Sequence, residues 1–196
     1  MNFLAHLYLA EDSEDLMLGG LYGDFMKGVQ IQTFPPGIQR GIRLHQYIDG
    51  QTDAHPVFRR SKRRIAAPRR RFSGILVDIF YDHFLAVHWE DYAAMPLSPF
   101  VERVYALLAA QGANLPGPLQ RVAPRLIQED WLSSYASLKG IALTLQRLTL
   151  RITRENSVHL GLEDLLRNYQ ELEQDFRLFF PELQASVRSF RTADFA

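Results

Sequence analysis

The run Gly-Ile-Leu-Val-Asp78-Ile-Phe-Tyr-Asp82-His83-Phe-Leu sets two carboxylates four residues apart inside an otherwise apolar segment. Residues four apart share one face of a helix. Asp78 and Asp82 therefore project together from a helix apolar enough to be buried. A carboxylate in that setting loses its hydration, which is costly unless something pairs it. The fold must bring it an arginine, a hydroxyl network or a metal ion. The same rule couples Asn2 with His6, His45 with Asp49, and Asp49 with Asp53. Asp24 stands in Gly19-Gly20-Leu-Tyr-Gly23-Asp24-Phe25, an acid among aromatic residues where glycines allow close backbone approach.

Helix is expected nearly throughout, and strand-like alternation is absent. Ser13 caps a helix opening on Glu14 and Asp15, where acids suit the positive end of the dipole. Pro35-Pro36 opens the next, with Ile38, Ile42, His45, Ile48 and Asp49 at helical spacing. His55-Pro56 and Pro68 interrupt the chain, and Arg69 to about Trp89 reads as one long helix. Ser98-Pro99 reads as a cap and first turn, and Gly112 to Pro118 as the clearest loop. Trp131–Arg151 and Ser157–Phe180 supply two more helices, the second kinked or ended at Pro181. The stripe Leu165, Tyr169, Leu172, Phe176, Phe179 reads as core. The expectation is an all-α protein of seven to nine helices in one domain, residues 1–196, with a polar, His-rich first half and a more ordinary packing half.

Absent cysteine narrows the chemistry. Disulfides, thiolate zinc sites, iron–sulfur clusters and a cysteine nucleophile are excluded. A bound metal must be held by His, Asp, Glu, Asn or backbone oxygen, which favours Mg, Mn or Fe(II). Five of the six histidines lie before residue 90, together with the apolar-flanked aspartates. Singly, each Asp fits a cap or an ion pair, and His83 or His88 a satisfied core histidine. Gathered on four helices, they point to a hydrolytic metal centre. No Glu precedes a His by three, and no P-loop, Gly-x-Gly-x-x-Gly, Gly-x-Ser-x-Gly or His-Glu-x-x-His occurs. No basic leader precedes an apolar run and no stretch spans a bilayer, so a soluble cytoplasmic protein without membrane partners is expected.

Net charge is zero, with 22 basic and 22 acidic residues, yet unevenly spread. From Arg40 to Arg71 ten basic residues face only Asp49 and Asp53, giving +8, while residues 1–39 carry −4. Such a segment is either a solvated face or a docking surface for a polyanion. Two alternatives follow at this level: a metal-dependent nucleotide phosphohydrolase using the basic stretch for phosphates, or a helical module binding nucleic acid through Arg59–Arg71. The second leaves the helix-borne aspartates unexplained and is ranked last, so no nucleic-acid partner is expected.

Met1-Asn-Phe-Leu-Ala-His6-Leu-Tyr-Leu9 resembles the opening of the acyl carrier protein phosphodiesterases. So do Gly23-Asp24-Phe25 with Gly28, Gly41-Ile-Arg-Leu-His45-Gln-Tyr-Ile-Asp49 with Thr52-Asp53, and Asp78 with Asp82-His83-Phe-Leu-Ala-Val-His88-Trp89. The resemblance covers most of residues 1–90 and is looser beyond. It implies a distorted, all-helical relative of the HD-domain phosphohydrolases, dependent on a divalent cation, usually Mn, with Mg, Fe(II) or Co as substitutes. The reaction implied is hydrolysis of the phosphodiester joining 4′-phosphopantetheine to a serine of holo-acyl carrier protein. Gln46 and Tyr47 stand where basic residues can occur, and Asp82-His83 reverses the order that names the HD enzymes. The expected division is His6, Asp24, Asp78 and Asp82 as metal ligands, with His45, Asp49 and His83 in catalysis and Arg43 on the phosphate. Acyl carrier proteins are acidic, so Arg59, Arg60, Arg63, Arg64 and Arg70 are the expected partner contacts.

Overall fold

The computed structural model describes residues 1–25, 30–153 and 155–194; Gly28 lies outside them. Among the described residues there is no strand. The order is α1 (Phe3–Tyr8), α2 (Glu14–Gly23), α3 (Pro36–Ala54), α4 (Pro56–Arg63), α5 (Ser73–Val87), α6 (Leu97–Gln111), α7 (Gly117–Gln128), α8 (Trp131–Ser134), α9 (Leu138–Arg151), α10 (Gly161–Arg167) and α11 (Tyr169–Asp194). Short 3-10 turns occupy Ile31–Thr33, Ala67–Phe72, Trp89–Asp91, Gly112–Asn114 and Val158–Leu160. The all-α expectation holds, with eleven α-helical segments among the described residues in place of seven to nine. Among those residues no helix is long and apolar enough to cross a membrane.

The local signals explain several boundaries. Ser13 accepts from the Leu16 N–H, as its place before Glu14 implies. Pro36 opens α3, and the break at His55-Pro56 separates α3 from α4. Others moved. The 3-10 turn through Pro68 delays α5 until Ser73. Helix α6 begins at Leu97, so Ser98 lies inside it and donates to Glu102. The expected loop after Gly112 shortens to a 3-10 turn, and α7 begins at Gly117. Pro181 does not end α11, which runs on to Asp194. Phe176, Phe179 and Phe180 before the proline and Leu183 and Val187 after it are all buried. That burial outweighs the interior proline's cost, about 3 kcal/mol or more.

Helix α5 is central. From Leu76 to Ala86 nearly every side chain is buried, and α1, α4, α9 and α11 pack around it. Helices α2 and α3 make the closest pairing. A Cβ on Gly19 would collide with the Ile38 carbonyl and the Gly41 backbone, and one on Gly41 with the Leu16 carbonyl. Backbone meets backbone there, which fixes α2 against α3 and brings Gly23 and Asp24 up to His45.

The +8 segment folds inward at three of its arginines. Arg69 forks onto Asp164 of α10 through Nε at 2.7 Å and Nη2 at 2.9 Å, both side chains being buried. Arg60 donates to Asp175 of α11 through Nε at 2.9 Å, and Arg64 does so at 3.2 Å. Ser61 completes the Asp175 cage at 2.7 Å. Arg59 and Arg70 are exposed and donate to the carbonyls of Asp53 and Ile65, and Arg63 is exposed. The segment is therefore in part a clamp holding α4 and the following turn onto α10 and α11.

Candidate metal centre

Helices α1 and α3 supply one cluster, with Asp24 at the end of α2 and Asp78 of α5 beside it. Helix α1 carries His6, and α3 carries His45 and Asp49 on one face, as their four-residue spacing requires. The His6 and His45 rings stack, with centroids 4.1 Å apart and planes 21° apart. Gly23 permits this, because a Cβ there would overlap the His45 ring. Asp49 bridges the pair: His6 Nε2 lies 3.1 Å from Oδ1 and His45 Nε2 3.1 Å from Oδ2. Asp24 Oδ1 is 3.9 Å from His45 Nε2. The Met1 α-ammonium lies 3.0 Å from Asp78 Oδ1 and 3.4 Å from Asp49 Oδ1.

Electrostatics sort these groups. Burial pushes His6 down to about 3, and the neighbouring His45 adds to the shift, so His6 is neutral with a lone pair to offer. Burial also pushes His45 down, but its hydrogen bond to Asp49 and the charge of Asp24 outweigh this and raise it. Burial alone would raise Asp49; hydrogen bonds from both histidines reverse that and hold it well below the usual carboxylate range. Partial burial and the charge of Asp49 raise Asp24 against the pull of His45. Burial raises Asp78, opposed by the Met1 ammonium.

A cation fits this set. His6, His45 and Asp49 each offer a ligand atom, all within 4.8 Å of one another. Four buried polar atoms around them lack a hydrogen bond among the described residues: His6 Nδ1, His45 Nδ1, Thr52 Oγ1 and Asp78 Oδ1. Asp78 Oδ1 also lies 3.0 Å from the Met1 ammonium, an ion pair that meets part of its need. Unsatisfied buried groups are uncommon, and several in one place call for an ion or water. Imidazole and carboxylate together make a donor set suited to a divalent cation.

The structure thus gathers His6, Asp24, His45, Asp49 and Asp78, and separates the other expected residues. Asp82, fully buried, accepts from the N–H groups of Leu4 at 2.7 Å and Ala5 at 3.3 Å. It caps the free amides of the first turn of α1, the helix that carries His6. Burial pushes its carboxyl up to about 7. His83 is one residue on, about 100° around the helix, and faces the second half of the chain. Its Nδ1 donates to the Tyr135 carbonyl at 2.7 Å and its Nε2 meets the Tyr169 hydroxyl at 3.0 Å. Arg43 is exposed on α3, about 200° around that helix from His45. His88 pairs with Glu173 of α11.

Sequence reasoning quoted Thr52 with Asp53 in the resemblance but gave it no role, although it lies three residues after Asp49 on α3. It also missed a cleft of about 350 Å³ beside the cluster, lined by Phe3, Phe25, Ile79, Trp131, Leu148 and Arg151 among others. A smaller one of about 210 Å³ opens over Met1, Asp49, Asp53 and Asp78. The two share Asn2, Asp24 and Ile75.

Comparison with known proteins decides the family. The acyl carrier protein phosphodiesterase profile matches residues 1–183. The chain belongs to that family. It is 33% identical over 189 residues to an acyl carrier protein phosphodiesterase of Yersinia pestis, covering 96% of this chain and 98% of the relative. Relatives of the same name in Pectobacterium atrosepticum and Serratia proteamaculans are 32% and 31% identical over the same shares. No solved structure matches.

Proposed function

We propose that this protein is a metal-dependent phosphodiesterase releasing 4′-phosphopantetheine from the serine of holo-acyl carrier protein, leaving apo-carrier in the cytoplasm. Family membership across residues 1–183 supports the substrate. The observation that carries the chemistry is the convergence of His6, His45 and Asp49 beside Asp24 and Asp78. Asp and His donors borne on helices also accord with a distorted relationship to the HD-domain phosphohydrolases.

His6, His45 and Asp49 would hold the cation, with Asp78 adding negative charge beside them. A divalent ion, Mn foremost with Mg, Fe(II) or Co as substitutes, supplies Lewis acidity toward the phosphoryl oxygens and the attacking water. His6 stays neutral and Asp49 ionised, the forms ligation requires. Asp24, at the junction of the two clefts, is the carboxyl placed to pass a proton to the departing serine oxygen, and burial shifts it toward the protonated form. Asp82 and His83 are positioning residues, the first for α1 and the second for the Tyr135 segment. Arg59, Arg63 and Arg70, exposed residues of the basic segment that are not bound to Asp164 or Asp175, steer the acidic carrier.

The test is the mass of holo-acyl carrier protein after incubation with enzyme and Mn. Loss of the phosphopantetheine mass, abolished by EDTA and restored by Mn, is expected. An unchanged mass with metal-loaded enzyme, or full turnover after verified metal removal, overturns the reading. Hydrolysis confined to a panel of nucleotides would assign the site to the nucleotide phosphohydrolase class instead.

A further inference from the structure

The larger cleft borders the proposed metal centre, yet the chemistry described above uses none of its far wall. Its apolar lining is Phe3, Phe25, Ile75 and Ile79 together with Leu148 and Ile152 at the end of α9. Trp131 closes it, held by Glu129, which accepts from the indole at 3.0 Å, while Arg147 lies over the ring at 4.9 Å. The polar lining is Asn2, Asp24, Tyr135, Thr144, Arg147 and Arg151. Asn2 donates to the Tyr135 hydroxyl at 2.8 Å, Thr144 adds a hydroxyl, and Arg151 is exposed. Mostly apolar walls with a few placed polar groups are the usual make-up of a small-molecule site, and 350 Å³ falls within the usual range of about 300–1,000 Å³.

We infer that this cleft receives the pantetheine arm of the substrate, an inference that rests on the proposed reaction. A phosphodiester has two branches. Here one is a serine on a folded protein, which needs open surface; the other is a slender chain, which alone can enter a cleft this size. Asn2 and Asp24 line both clefts, so a phosphate over the cluster passes its ester branch directly into the larger one. The arm's dimethyl carbon and methylene groups suit Phe25, Ile79 and Leu148. Its two amides suit the Asn2–Tyr135 pair and Thr144. Residues 131–152, read from sequence as packing, thereby become specificity-determining, and His83 supports them by holding the Tyr135 carbonyl.

The experiment fills the cleft. Leu148→Trp, with Leu143→Trp as an exposed control on the same helix, is assayed for pantetheine binding by calorimetry and for holo-carrier cleavage by mass. Expected is measurable pantetheine binding to the wild type, lost in Leu148→Trp, with KM for holo-carrier raised about tenfold or more and the control unchanged. Ile75→Trp, at an exposed position lining the same cleft, repeats the test should Leu148→Trp misfold. Normal KM and pantetheine binding in a folded cleft-filling variant overturn the inference and leave the proposed reaction standing. A wild type that binds pantetheine through Leu148 but leaves holo-carrier intact keeps the cleft assignment and overturns the reaction. A wild type that neither binds pantetheine nor cleaves the carrier overturns both.

Discussion

The protein buries aspartates in two regions and treats them in opposite ways. Asp164 and Asp175, in the second half, are each met by guanidinium groups that use both carboxylate oxygens. Around Asp49 and Asp78 no guanidinium closes the carboxylates: the partners are two histidines and the Met1 ammonium, with unsatisfied atoms nearby. An arginine cannot lose its proton and settles a carboxylate permanently. Histidines leave its charge available to an incoming cation. The lesson is that a buried aspartate alone says little; the identity of its partner separates a clamp from a site.

The comparison can be broken most directly at Asp49. Asp49→Asn should cut kcat by on the order of 100-fold or more in protein that is still folded at the assay temperature. Unfolding that tracks the lost activity would make Asp49 another clamp. Second, Asp164→Asn should destabilise the fold by about 3–5 kcal/mol, since it strands the buried Arg69, with kcat of the folded fraction intact. The double change Arg69→Met with Asp164→Leu should recover most of that loss in urea denaturation; failure to recover would show that the pair does more than fasten α10.

A third effect is smaller and depends on pH. His6 takes its proton near pH 3 in the fold but near 6.5 when unfolded, so metal-free protein loses stability as pH falls below about 6.5. Asp82 runs the other way. It is protonated up to about pH 7 in the fold against 3.8 unfolded, so it adds stability as pH falls from 7 toward 4. Asp82→Asn should therefore steepen the loss between pH 7 and 5, and His6→Gln should flatten it, as read from urea midpoints with chelator present. Identical pH slopes in both variants would remove these titrations from the stability balance. Smallest is charge reversal at Arg59, Arg63 and Arg70. Exposed charges contribute about 0–1 kcal/mol each, so KM for the carrier should rise modestly and lose salt dependence, with no change in fold. Arg60 and Arg64 are left alone because Asp175 needs them.

Local patterns in the sequence carried much of this. Ser13, Pro36 and the break at Pro56 mark real helix ends, and four-residue spacing placed His45 with Asp49. Apolar flanks marked Asp24 and Asp78 as carboxylates needing a partner. What stayed hidden is long-range pairing. Nothing near Arg60, Arg64 or Arg69 announces Asp175 or Asp164, about a hundred residues away, so the basic run read as surface. Asp82 and His83 are adjacent and chemically plausible, but which face each occupies depends on whether α1 or residues 131–135 packs there. Pro181 followed a rule about isolated helices that aromatic burial overrides.

The glycine seam between α2 and α3 has a consequence for inheritance. Gly19 and Gly41 touch no substrate and carry no charge, yet a single added methyl group at either would drive the two helices apart and take Asp24 away from His45. A survey of every viable substitution along the chain would find these positions as unforgiving as the histidines themselves. Gly23 beneath the His45 ring would join them. The spacing of the two helices is therefore locked by residues whose only contribution is to be small.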